Sequence, residues 1–136
     1  ISVGTASTSY NTSSDYRLKE NVTDITDGIT RLKLLNPSRF NFIADADTTV
    51  DGFLAHEVSD IVPEAVSGEK DAMQDEEYEV TPAVLDDDGN VMGTRSVPKY
   101  QGIDQSKLVP LLTAALQEAV AKIETLEAKV TALENA

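Results

Sequence analysis

The chain is 136 residues long, 40% hydrophobic and without cysteine; this suffices for one modest domain and excludes disulfides, thiolate metal sites and a cysteine nucleophile. Its formal net charge of −13 argues against nucleic acid as a partner, because phosphate binding needs clustered Lys and Arg. No run reaches the roughly 18 apolar residues of a membrane span, and the N-terminus shows no basic or apolar region of a signal peptide, so a soluble protein made in a cytoplasm is expected.

Residues 1–14 carry no charge and are dominated by Ser, Thr, Gly and Asn. Such a segment cannot build a core of its own and reads as the end of something larger, as a linker, or as a disordered tail. From Ser14 onwards charge and large apolar residues appear together. Ile25, Ile29 and Leu32 predict a short amphipathic helix over Thr23 to Leu35, with Leu18 and Val22 extending its stripe towards the N-terminus. Asn36-Pro37 should end it. Ser38 to Ile43 alternates as a half-buried strand does, Asp45-Ala46-Asp47 predicts a turn, and Val50 to Glu57 a second strand. Val58 to Pro63 reads as a short helix or turn. Tyr78–Leu85 and Val91–Val97 flank Asp88-Gly89-Asn90, a hairpin signal because the turn requires positive φ; Pro82 and Pro98 suggest edge strands.

The last segment has the clearest periodicity. Val109, Leu112, Leu116, Ala119, Ile123, Leu126, Val130 and Leu133 follow alternating steps of three and four, the a/d seam of a coiled coil. Lys122 and Lys129 at g stand five residues before Glu127 and Glu134 at e, which pairs parallel strands. The number of strands is not determined by these residues, and an amphipathic helix packed on its own domain is the alternative. The fold class expected is α+β: a small mixed domain with short strands and a hairpin, then a long C-terminal helix. The divisions are 1–14, 15–104 and 105–136.

Twelve of the 24 carboxylates lie between Glu57 and Asp88, opposed only by Lys70; such a run is usually a solvated face. It does not make an EF-hand. Counting from Asp86, glycine comes too early at Gly89 and Val97 occupies position 12, while Asp45, Asp47 and Thr49 are followed by Val50 where glycine is required. No metal and no cofactor is expected. There is neither a Walker loop nor a dinucleotide fingerprint. The single histidine, His56, has no neighbours that mark a triad. A lysine can replace histidine as the base for a serine where its surroundings favour the neutral amine, and Lys19, with Arg17 nearby, stands five residues after Ser14. By spacing alone the pair is weak evidence, since such pairs occur by chance in most proteins, and a capping serine and a surface lysine are the ordinary explanation.

Ser14-Asp15-Tyr16-Arg17-Leu18-Lys19-Glu20-Asn21-Val22 resembles the signature of the C-terminal intramolecular chaperone domains of bacteriophage tail fibres, tailspikes and neck appendages, the S74 peptidase family with the endosialidase chaperone. Leu34 to Phe42 resembles that family's Leu-x-Pro-x-x-Phe segment, Gly52 to Val58 its Gly-Phe-x-Ala-Gln-Glu-Val segment with His56 in place of glutamine, and Leu108 to Glu118 the start of its terminal helix. The resemblance runs over residues 14–136. It implies a homotrimer that helps an upstream β-helical fibre passenger of the same polypeptide to fold in the host cytoplasm and then releases itself. It further implies Ser14 as nucleophile, Lys19 as base and a cut between Ser14 and Asp15, with Asp15, Arg17 and Glu57 in supporting positions. On the residues themselves, the cut can fall on either side of Ser14: attack on the carbonyl before it is the easier acyl shift. A non-catalytic trimerisation or attachment module is the alternative function, and an acidic ligand-binding or metal-binding module a more distant one.

Overall fold

The computed structural model describes residues 2–3, 8–9, 12–79 and 92–136. Near the N-terminus, β1 (Ser2–Val3) and β2 (Thr8–Ser9) form a short antiparallel ladder. A single 3-10 turn over Tyr16–Leu18 follows. The predicted helix over Thr23 to Leu35 is cut down to α1, Gly28–Leu32. Asn21 adopts φ 53, a left-handed conformation that breaks any helical run from Leu18, and the β-branched Val22, Thr23, Ile25 and Thr26 disfavour helix in between. The chain leaves α1 before Asn36-Pro37, as that dipeptide demands.

β3 (Ser38–Phe42) and β4 (Asp45–Gly52) pair antiparallel, from Ser38 opposite Gly52 to Asn41 opposite Thr49, and the register slips between Asn41 and Phe42. The predicted turn at Asp45-Ala46-Asp47 is therefore strand, and the chain turns at Ile43-Ala44 instead. The predicted strand over Val50 to Glu57 ends early: Ala55–Ser59 is helix α2. A short apolar run does not distinguish strand from buried helix, and Ala55 and Glu57 are good helix formers. A 3-10 turn at Pro63–Ala65 leads into β5 (Val66–Ser67).

β6 (Met73–Glu79) pairs with β7 (Met92–Pro98), Met73 opposite Pro98 and Glu79 opposite Met92. The first strand thus begins five residues before the expected Tyr78; Pro82 and the proposed turn at Asp88-Gly89-Asn90 lie outside the described residues. β8 (Gly102–Ile103) returns to pair with β5, and a 3-10 turn over Gln105–Leu108 runs into α3, Val109–Glu134. Among the described residues each sheet has two strands.

Val58, Val62, Ala65, Leu108 and Leu111 form the core, with Leu35, Phe53, Ile61, Val66 and Ile103 packed around them. The start of α3 is thus part of the globular body. Leu108, Leu111 and Ala115 lie on its buried side, while α1 crosses the helix so closely that a Cβ on Gly28 would stand 2.7 Å from the Ala115 nitrogen. The Ile29 N–H donates to Glu118 Oε2 at 3.1 Å, so a side chain of α3 satisfies one of the free N–H groups at the start of α1. The molecule is a mixed α+β fold of short antiparallel strands closed by a long C-terminal helix.

Candidate active site

The turn at Tyr16–Leu18 is built by its own side chains. Asp15 is extended, with φ −62 and ψ 133, and its carboxylate caps the turn. The Oδ1 atom accepts from the Arg17 N–H at 2.8 Å and from Arg17 Nε at 3.0 Å, and Oδ2 accepts from Nη2 at 2.9 Å. Leu18 N–H donates to the Asp15 carbonyl and Lys19 N–H to the Tyr16 carbonyl, each at 3.1 Å. Asp and short turns suit each other because the carboxylate can accept the N–H two residues on. The Arg17 side chain, and secondarily its backbone N–H, holds the Asp15 carboxyl below the usual carboxylate range, and Asp15 in turn raises the Arg17 guanidinium.

The turn ends in an extended Lys19, and the chain reversal brings its side chain back to the serine: Lys19 Nζ donates to Ser14 Oγ at 2.7 Å. The two residues to which the resemblance assigns nucleophile and base are therefore in direct contact, on a segment that is exposed throughout. A lysine nitrogen at this distance is where a base for the serine hydroxyl has to be. Asp15 and Arg17 sit beside the pair and are bonded to each other. Glu57 is on α2 and accepts from Asn36 Nδ2 at 3.2 Å, linking the segment after α1 to the core helix; no hydrogen bond among the described residues joins it to Ser14 or Lys19. His56 is half-buried on the same helix.

The seam residues occupy one face of α3. Val109, Leu112, Leu116, Ile123, Leu126, Val130 and Leu133 are all exposed, Leu116 to 66% and Leu126 to 58%, and Ala119 is half-buried. Lys122 Nζ lies 3.4 Å from Glu118 Oε1 within the same helix. The seam and the core-facing side are distinct faces. Periodic reading found the first and missed Leu108, Leu111, Ala115 and Glu118, although their own steps of three and four were a second stripe that could have been read.

Among the described residues no group of three or more metal-ligating side chains comes together, and no helix is long and apolar enough to cross a membrane. The segment that carries Ser14 and Lys19 is also the one that known families recognise: residues 14–67 match the Peptidase_S74 model, chaperone of endosialidase. Over this segment the chain is similar to the S74 chaperone family. The match begins at the serine itself and runs through β5, so it takes in the turn, α1, the first hairpin and α2. It is shorter than the resemblance read from the motifs, and α3 with its seam lies beyond it. No curated protein matches the chain. The match supports a chaperone role in fibre folding, and that family's peptidase name points to autocleavage in its members.

Proposed function

We propose that this chain is a self-cleaving intramolecular chaperone: it trimerises along the α3 seam, assists an upstream β-fibre of the same polypeptide to fold and assemble in the host cytoplasm, and then cuts itself off beside Ser14. The observation that carries the catalytic part is the 2.7 Å contact between Lys19 Nζ and Ser14 Oγ, in the segment where the family match starts. As a neutral amine, Lys19 takes the Ser14 hydroxyl proton while Oγ attacks a peptide carbonyl carbon. The carbon–nitrogen bond breaks, and the leaving amine takes the proton back from Lys19. Water then hydrolyses the resulting ester, restoring the hydroxyl and leaving a carboxylate.

The continuous apolar seam, exposed in a single chain, supports self-association, since burying such side chains is favourable by about 25 cal/mol per Å² removed from water. The seam's g and e charges favour parallel strands, as three copies of one fibre end would require.

Mass spectrometry of a precursor extended upstream tests the reading. A C-terminal fragment starting at Asp15 marks a cut after Ser14, one starting at Ser14 a cut before it, and Ser14→Ala should abolish both. A precursor that stays whole with its upstream fibre fully assembled would instead favour a non-catalytic trimerisation module.

A further inference from the structure

Asp15 and Lys19 stand four residues apart, the spacing at which a carboxylate and an ammonium pair on a helix. They are not paired here. Both Asp15 oxygens are taken by Arg17, at 3.0 Å through Nε and 2.9 Å through Nη2, and Lys19 is left to reach Ser14 Oγ at 2.7 Å. We propose that Arg17 is a positioning residue that occupies the Asp15 carboxylate and so reserves Lys19 for Ser14. The inference rests on the reading of Ser14 and Lys19 as nucleophile and base.

The reason is electrostatic. Lys19 can accept the hydroxyl proton only as a neutral amine, and an adjacent free carboxylate favours the ammonium form. Left without Arg17, Asp15 has Lys19 as its nearest remaining cation, and that pairing both pulls Nζ from Ser14 and holds its proton in place. A guanidinium is suited to prevent this. It matches a carboxylate with two parallel hydrogen bonds and does not itself deprotonate in proteins, so it neutralises Asp15 without entering the proton transfer. Both groups are charged at neutral pH, and each shifts the other further towards its charged form, Asp15 down and Arg17 up.

The charged groups of the segment are Asp15, Arg17, Lys19 and Glu20. Among the described residues no hydrogen bond or ion pair reaches them from another element. Exposed ion pairs contribute little to global stability, and the Arg17 and Asp15 side chains are 75% and 41% exposed. The fork therefore acts on its own turn and on what the turn presents.

The test follows cleavage of the extended precursor from mildly acidic to alkaline pH. Arg17→Gln should cut about tenfold more slowly near neutrality, below the roughly 100-fold or more that a positioned base contributes, and its profile should move to higher pH. Adding Asp15→Asn to it should restore speed, because the competing charge is gone; a purely structural cap would lose further. Arg17→Lys, which keeps the charge but covers a single oxygen, should fall between wild type and Arg17→Gln, and carries the test should Arg17→Gln fail to assemble. An unchanged rate and pH profile in the Arg17 variant, or a double variant no faster than the single one, overturns the proposal. The dyad reading survives that result as long as Ser14→Ala stays uncut, and fails separately if Ser14→Ala is cut.

Discussion

Gly28 shows how much one residue can depend on a contact invisible in the sequence. It begins α1, where conformational freedom is not needed, yet a Cβ there would lie 2.7 Å from the Ala115 nitrogen and 3.0 Å from the Ala114 carbonyl carbon. Both neighbours are backbone of α3 and cannot rotate away. Gly28→Ala should therefore destabilise the fold by about 1–3 kcal/mol, as overpacking does, even though alanine is the better helix former; a lower urea midpoint with an unchanged slope checks it. Sequence could name Ser14 and Lys19 because they stand in a stretch that resembles a family signature, while their five-residue separation alone fits an ordinary cap and surface lysine as well. It could not name Glu118 as the partner of the Ile29 N–H, because 89 residues separate them and only the crossing of α1 and α3 joins them. Asp15 carries a pH dependence of its own. Its pKa is lower in the folded turn than in the unfolded chain, so the fork's contribution is present above the ordinary aspartate range and is lost as pH falls through the folded value. The Arg17 guanidinium should be released from Asp15 over that same acid window, which the Arg17 side-chain NMR signals can follow.

At the scale of elements, α3 carries two distinct apolar faces. Leu111 is buried to 2% exposure against Val58 and Val62, while Leu126 is 58% exposed on the seam. Leu111→Ala should cost about 2–5 kcal/mol of folding stability at any protein concentration, the usual range for a buried leucine. Leu126→Ala should leave the fold of one chain nearly untouched and weaken association, so that its effect on melting appears as a changed dependence on concentration. Thermal unfolding across a dilution series separates the two. The long helix was legible because its apolar positions repeat many times, whereas the short elements were not. Ala55-His56-Glu57 lies in an apolar run that fits strand or helix alike, and is helix because Val58 and Val62 must both face the core. The start of β6 lies before the expected strand because Met73 to Glu77 offers almost no apolar alternation; its ladder with β7 is a backbone pairing, across which Arg95 meets Glu76 and the Tyr78 ring.

For the whole molecule, the question is what a chain with so small a core gains from company. Two-stranded sheets are marginal on their own, and all those seen here are two-stranded. Large apolar side chains stay exposed not only on the seam but beside the candidate dyad, with Tyr16 at 81%, Leu18 at 72% and Val22 at 81%. Packing of several copies would cover such surface and, near Ser14 and Lys19, would exclude the water that now surrounds both groups. Burial disfavours an ammonium and so favours the neutral amine that the serine needs. Cleavage would then report that assembly has occurred, and once the chaperone is gone the fibre's persistence becomes a matter of its unfolding rate. Charges at the centre of the seam offer the decisive variant. Ile123→Asp with Leu126→Asp sets one carboxylate from every copy against the others at two successive layers, which like charges in a closed interface do not tolerate, while neither residue belongs to the core of the single chain. The expected outcome is a folded monomer by light scattering and circular dichroism, with the Ser14 bond intact by mass spectrometry. If that monomer is cut as fast as the unmodified precursor, Ser14 and Lys19 need no second copy, and coupling between assembly and release has to be abandoned even if the dyad itself holds.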